Sequence, residues 1–134
     1  MKVMLDTNIL ISAFIFKSKI MNELIYKLSK KHKIIICSYT IEELQYLMKH
    51  KFKVNIQELD KFLEKFPFTL VYSPKNINNK LFEIRDEDDY IILHTAIIES
   101  IDVFITGDKD FKDVKIDKPK ILTPCEFLNK FKNN

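Results

Sequence analysis

Five acids stand at positions from which they could do chemistry: Asp6, Glu43, Asp89, Asp108 and Asp110. Asp6 follows the apolar run Val3-Met4-Leu5, and Glu43 lies shortly after Ile34-Ile35-Ile36-Cys37. Asp89 closes the run Asp86-Glu87-Asp88-Asp89 at the head of an apolar stretch, and Asp108 and Asp110 follow Val103-Phe104-Ile105-Thr106-Gly107. Carboxylates brought together without compensating lysines repel one another, and a divalent cation is the usual remedy. Oxygen-only ligands select Mg²⁺ or Mn²⁺ over zinc. The chemistry such a centre supports is metal-assisted attack of water on a phosphodiester.

Each acid also has a purely structural role open to it. Asp6 and Asp108 could be helix caps. Glu43 could close a Thr40-Ile41-Glu42-Glu43 capping box, and Asp89 could be a first-turn acid favoured by the helix dipole. Helical phase separates neighbours. At ~100° per residue the apolar face of Ile41, Leu44, Leu47 and Met48 centres near Leu44. Glu43 then lies on the flank of that face, while Glu42 points to solvent. Asp89 shares a stripe with Ile92, Leu93 and Ala96, whereas Asp88 leads Ile91, Ile92 and Thr95.

Other chemistries lack their tools. A single glycine, Gly107, excludes both the G-x-G-x-x-G fingerprint and the P-loop. Its place between Thr106 and Asp108 suits a tight turn or the close approach of a ligand. Two cysteines, Cys37 and Cys125, exclude a disulfide framework and an all-cysteine zinc site. His32, His50 and His94 form no metal spacing and read as surface or packing residues. No G-x-S-x-G is present. Aspartyl phosphatases want a second Asp two residues after the first; here that position is Asn8.

These acids need elements to hold them. Lys2–Leu5 reads as a strand, stopped by Asp6-Thr7-Asn8, with Thr7 or Asn8 able to cap the helix that follows. A helix is expected over residues 19–33, a strand over 34–37, and a helix from Ser38 to about His50. A helix over 55–66 is ended by Pro67, and a strand over 68–72 gives way to a loop at 73–79. A helix opened by acids 86–89 runs to about Ser100, and Val103–Ile105 and Ile121–Leu122 are short strands. Thr123-Pro124-Cys125-Glu126 joins a capping box to a proline at the first helical position. Continuous apolar strands alternating with helices predict an α/β fold with a mainly parallel central sheet covered on both faces. In such sheets ligands bind outside the carboxyl ends of the strands. All five acids fall at that edge.

Composition agrees. The 134 residues are 46% apolar and 31% charged, so they predict one domain, 1–134, with a sizeable core. The net charge is +3, from 21 lysines and one arginine, Arg85, against 19 acids. Residues 83–89 carry a local −4, leaving +7 on the rest. A basic body around an acidic spot suits a polyanion bound beside a metal centre. Lys17, Lys19, Lys49, Lys51 and Lys109 are candidate rim lysines for flanking phosphates. Asp6 interrupts the first apolar run too early for a signal peptide, and nothing approaches the ~20 apolar residues of a membrane span. The expected location is the cytosol, with both thiols reduced.

The segments Val3-Met4-Leu5-Asp6-Thr7-Asn8-Ile9-Leu10, Ser38-Tyr39-Thr40-Ile41-Glu42-Glu43-Leu44 and Asp86-Glu87-Asp88-Asp89-Tyr90-Ile91-Ile92-Leu93 occur in this order. Asp102-Val103-Phe104-Ile105-Thr106-Gly107-Asp108-Lys109-Asp110-Phe111 and Ile121-Leu122-Thr123-Pro124-Cys125-Glu126-Phe127-Leu128 follow. In order and spacing the chain resembles the PIN-domain ribonucleases, especially the VapC-related toxins of bacterial and archaeal toxin–antitoxin pairs. The resemblance implies a three-layer α/β/α fold and an Mg²⁺- or Mn²⁺-dependent endoribonuclease that cleaves single-stranded RNA. It implies Asp6, Glu43, Asp89 and Asp108 as the acidic site, Asp110 as an accessory acid, and Asn8 and Thr106 as polar residues that position the acids. It also implies a homodimer and a cognate antitoxin as partner. The alternative is a PIN-like module that holds RNA or a protein without cutting.

Overall fold

The computed structural model describes residues 1–131. Five strands, β1 (Lys2–Leu5), β2 (Lys33–Cys37), β3 (Thr69–Val71), β4 (Val103–Ile105) and β5 (Lys120–Leu122), form one sheet in the order β3-β2-β1-β4-β5. Every pairing is parallel; Met4 stands opposite Ile35 on one side and Phe104 on the other. The helices are α1 (Thr7–Phe14), α2 (Lys19–Lys31), α3 (Ser38–His50), α4 (Ile56–Lys65), α5 (Glu87–Ile98) and α6 (Pro124–Lys130). A 3₁₀ turn at Lys109–Phe111 precedes β5.

The apolar strands are explained by burial on both faces. Val3, Leu5, Ile34, Ile36, Val103 and Ile105 point to one face, where Leu24 and Leu28 of α2, Leu44 and Met48 of α3, Leu59 of α4 and Phe127 of α6 cover them. Met4, Ile35, Cys37 and Phe104 point to the other, against Ile92, Leu93 and Ala96 of α5 and Phe111 of the 3₁₀ turn. Alternate residues of one strand therefore serve different layers, which is why no polar position interrupts them. The result is the expected three-layer α/β/α arrangement. Each buried Leu or Ile side chain contributes ~1.5–3 kcal/mol, so the two layers anchor the sheet edge rigidly.

Three local expectations are corrected. The cap of α1 is Asp6, whose carboxylate accepts from the Thr7 backbone N–H at 2.8 Å; neither Thr7 nor Asn8 takes that place. The capping box at Thr40–Glu43 does not form. Helix α3 begins at Ser38 with Cys37 as its cap, so Thr40 is already inside the first turn and its hydroxyl meets the Cys37 sulfur at 3.3 Å. Gly107 has no positive φ, and a Cβ built on it would meet nothing within 4 Å, so the turn itself does not require glycine. The capping box at Thr123 and Glu126 does form, with Pro124 in the first turn.

Candidate functional site

The carboxyl edge of β1 and β4 carries the acids. Asp6 ends the central strand β1 and is 4% exposed. Its Oδ1 accepts from the Thr7 N–H, and its Oδ2 accepts from the hydroxyl of buried Thr106 at 2.6 Å. The Thr106 hydroxyl in turn accepts from the Asp108 backbone N–H at 3.0 Å. One threonine, one residue beyond β4, thus ties the first acid to the fourth. Burial pushes the Asp6 carboxyl up to about 6, against the pull of the two hydrogen bonds, with Glu43 and Asp108 adding to the rise.

Glu43 sits on the inner flank of α3 and is half-buried, while Glu42 is exposed, as helical phase requires. The buried Thr7 hydroxyl donates to its Oε1. Burial raises the Glu43 carboxyl, Thr7 lowers it, and Asp88 and Asp86 raise it further. Freed from any capping duty, this carboxylate faces the site.

Asp89 projects from the first turn of α5, whose cap is Asp86. It is half-buried where Asp88 is exposed. Burial first, then repulsion from Asp108, Asp6, Asp86 and Asp110, pushes its carboxyl up to about 7. Asp108 caps the 3₁₀ turn by accepting from the Asp110 N–H at 2.9 Å. Carboxylate oxygens of Asp89, Asp108 and Asp110 all lie within 4.8 Å of one another. Asp110 is therefore a full member of the tightest trio, whereas Asp6 and Glu43 stand outside it.

The donor set is made of hard, anionic oxygens that repel when nothing lies between them, and this fits a divalent cation of the Mg²⁺ or Mn²⁺ type. Asn8 is exposed, and among the described residues its side chain makes no hydrogen bond to the acids; the positioning contact on that turn is made by Thr7. Three participants had no sequence signal of their own. The Tyr39 hydroxyl donates to Asp88, and burial and that bond hold the phenol well above its ordinary pKa. Arg85 pairs with Asp110 at 3.0 Å. Thr7 reaches Glu43 across 36 residues of sequence. Such contacts follow only from the tertiary fold.

The family model for the PIN domain matches residues 2–110. Among solved structures, the chain is similar to VapBC2 from Rickettsia felis bound to a DNA fragment from its promoter, with 24% identity and a TM-score of 0.72 over 92% of this chain and 98% of that one. It is also similar to DNA-bound VapBC from Salmonella typhimurium (17% identity, TM-score 0.67, 93% and 99% covered). A third is VapBC-1 from nontypeable Haemophilus influenzae (21% identity, TM-score 0.62, 93% and 99% covered). No curated protein sequence matches. Among the described residues no helix is long and apolar enough to cross a membrane. With the family model spanning β1 to the 3₁₀ turn and the sheet, helices and acids all in place, the chain belongs to the PIN-domain family.

Proposed function

We propose that the protein is a divalent-metal-dependent endoribonuclease that cleaves single-stranded RNA and acts as the toxin of a toxin–antitoxin pair. The observation that carries the chemistry is the trio Asp89, Asp108 and Asp110, within 4.8 Å, with Asp6 and Glu43 behind it. Asp89, Asp108 and Asp110 would hold the ion with support from Asp6, and a bound Mg²⁺ or Mn²⁺ would neutralise the scissile phosphate and acidify water at that point. Glu43 is suited to orient the attacking water and accept its proton, because Thr7 fixes its carboxylate and burial raises its basicity. Thr106 keeps Asp6 ionised and aimed by donating to it.

Room for a substrate beside the acids is given by the cleft of about 800 Å³ between the 3₁₀ turn and β5. It shares Thr106, Gly107 and Asp108 with the acids, has Phe111, Val114 and Ile116 on its walls, and carries Lys109, Lys112 and Lys120 alongside Asp117 and Glu126. Lysines there would hold flanking phosphates while a base lies on the apolar wall. A cognate antitoxin is part of this reading, supported by the likeness to VapBC structures; a homodimer is proposed with it from the family resemblance alone. A cytosolic place accords with RNA as substrate.

The test is cleavage of RNA and DNA panels with Mg²⁺, Mn²⁺ or EDTA. Single-stranded RNA should be cut with either metal and left intact with EDTA. Its binding should weaken with salt at a log–log slope of about −0.7 per phosphate contact. Salt-sensitive binding without cleavage under any metal would instead establish a non-cleaving module.

A further inference from the structure

Among 21 lysines the chain holds one arginine, and it lies at the acids. Arg85 precedes α5, and its guanidinium donates to Asp110 Oδ2 at 3.0 Å across 25 residues of sequence. The other ion pairs among the described residues join Lys27 to Glu23, Lys61 to Glu58 and Lys118 to Asp102, all away from the site. Among the described residues only Arg85 brings a cation into contact with the trio.

We propose that Arg85 is a positioning residue that competes for Asp110 and holds the acid cluster to a single divalent ion, supplying the positive charge that a second ion would bring. The inference rests on the metal-dependent reading above. The trio alone carries three carboxylates, and Asp6, Glu43 and Asp86 lie close enough to act on it or on one another. One dication leaves that assembly strongly negative, and a second dication would be drawn in. Arg85 opposes this in two ways. An Asp110 oxygen that accepts from the guanidinium has less of its lone-pair capacity left for a metal. The guanidinium also stays charged at every working pH. Its charge repels a dication held beside Asp110, by an amount that falls with distance and with salt.

The Arg85 side chain is 85% exposed, so its replacement leaves the core untouched. Lysine would bring a point charge but not the planar fork that keeps a carboxylate in place.

The experiment is Mn²⁺ titration of the full chain by calorimetry, with free Mn²⁺ followed by electron paramagnetic resonance. The wild type should bind one Mn²⁺. Arg85→Gln should bind a second, and the double variant Arg85→Gln, Asp110→Asn should return to one. Two ions on the wild type, or one ion of equal affinity on both the wild type and Arg85→Gln, would overturn the role of Arg85 while leaving the metal site intact. No Mn²⁺ on the wild type would be the separate failure of the metal reading, and it would overturn this inference with it.

Discussion

Asp6 and Asp89 present the same carboxylate to the same sheet edge from opposite kinds of support. Asp6 belongs to the central strand and is fixed by two donors, the Thr7 N–H and the Thr106 hydroxyl. Asp89 belongs to a helix laid on the other face, and among the described residues no donor reaches its carboxylate. Burial leads the upward shift of both acids, but donors pull Asp6 back while four neighbouring carboxylates push Asp89 further. One half of the site is finished by the fold. The other half is left for something cationic to complete, and the difference says where a bound ion changes the protein most.

The largest effect should come from the finished half. Asp6→Asn should lower RNA cleavage about a thousandfold, within the range for losing a positioned catalytic group. Its fold should survive, because Asn caps α1 as well as Asp does. Near wild-type turnover with an unchanged melting point would reduce Asp6 to a cap.

Glu43→Gln should cost about a hundredfold in activity, since the amide is neutral and binds metal or a proton poorly. Its melting temperature should stay within a few degrees, because no capping box depends on it. Glu42→Gln, at an exposed position, should match the wild type in both respects. Opposite results for the two variants would put the wrong face of α3 at the site.

Thr7→Val removes only the hydroxyl that holds Glu43. About a tenfold loss of activity is expected, the size of a hydrogen bond to a charged group. The same loss in a Glu43→Gln background would separate Thr7 from Glu43, whereas no further loss would couple them.

The smallest effect should appear in the metal-free protein as a dependence of stability on pH. An acid whose folded pKa is raised binds protons more readily folded than unfolded, so its contribution is fully present below pH ~4 and is lost as pH rises through the folded value. For Asp89 that window runs from about 3.8 up to about 7. His32 and His94, whose folded pKa values are lowered by burial, tilt stability the other way, so the difference between variants is the readout. In EDTA, Asp89→Asn should gain on the wild type between pH 5 and 8 by about 1 kcal/mol after allowance for solvent screening, or ~3–4 °C in melting temperature. Saturating Mn²⁺ should reverse that gain, because it stabilises only the protein that retains the carboxylate. Parallel melting curves for the two proteins would remove the repulsion at Asp89.

Much of this arrangement was legible in the sequence because burial writes a strong pattern. Strands flanked by helices on both faces must be apolar throughout, and Ile34-Ile35-Ile36 and Val103-Phe104-Ile105 say so directly. Phase along α3 and α5 then separated Glu43 from Glu42 and Asp89 from Asp88. The misreadings came from short-range motifs whose residues had longer-range uses. Thr40-x-x-Glu43 has the letters of a capping box, but α3 starts at Ser38 and Thr7 claims Glu43 from 36 residues away. Thr7 and Asn8 both read as caps, yet the acid before them takes the cap and Thr7 turns inward. Arg85 and Tyr39 gave no signal, because nothing local marks a side chain whose partner lies 25 or 49 residues off.

The bond between Thr106 and Asp6 spans 100 residues of chain. During synthesis the first acid emerges at the start, and its partner follows only after most of the domain has been made. At ~5–20 residues per second, that interval is about 5–20 s. Throughout it, β1 lacks β4 at its side, and Asp108 and Asp110 do not yet exist to face Asp89. The acids therefore come together only once β4 and the 3₁₀ turn have been made, so whatever chemistry they carry is withheld from the unfinished chain by the order in which its own sequence is read.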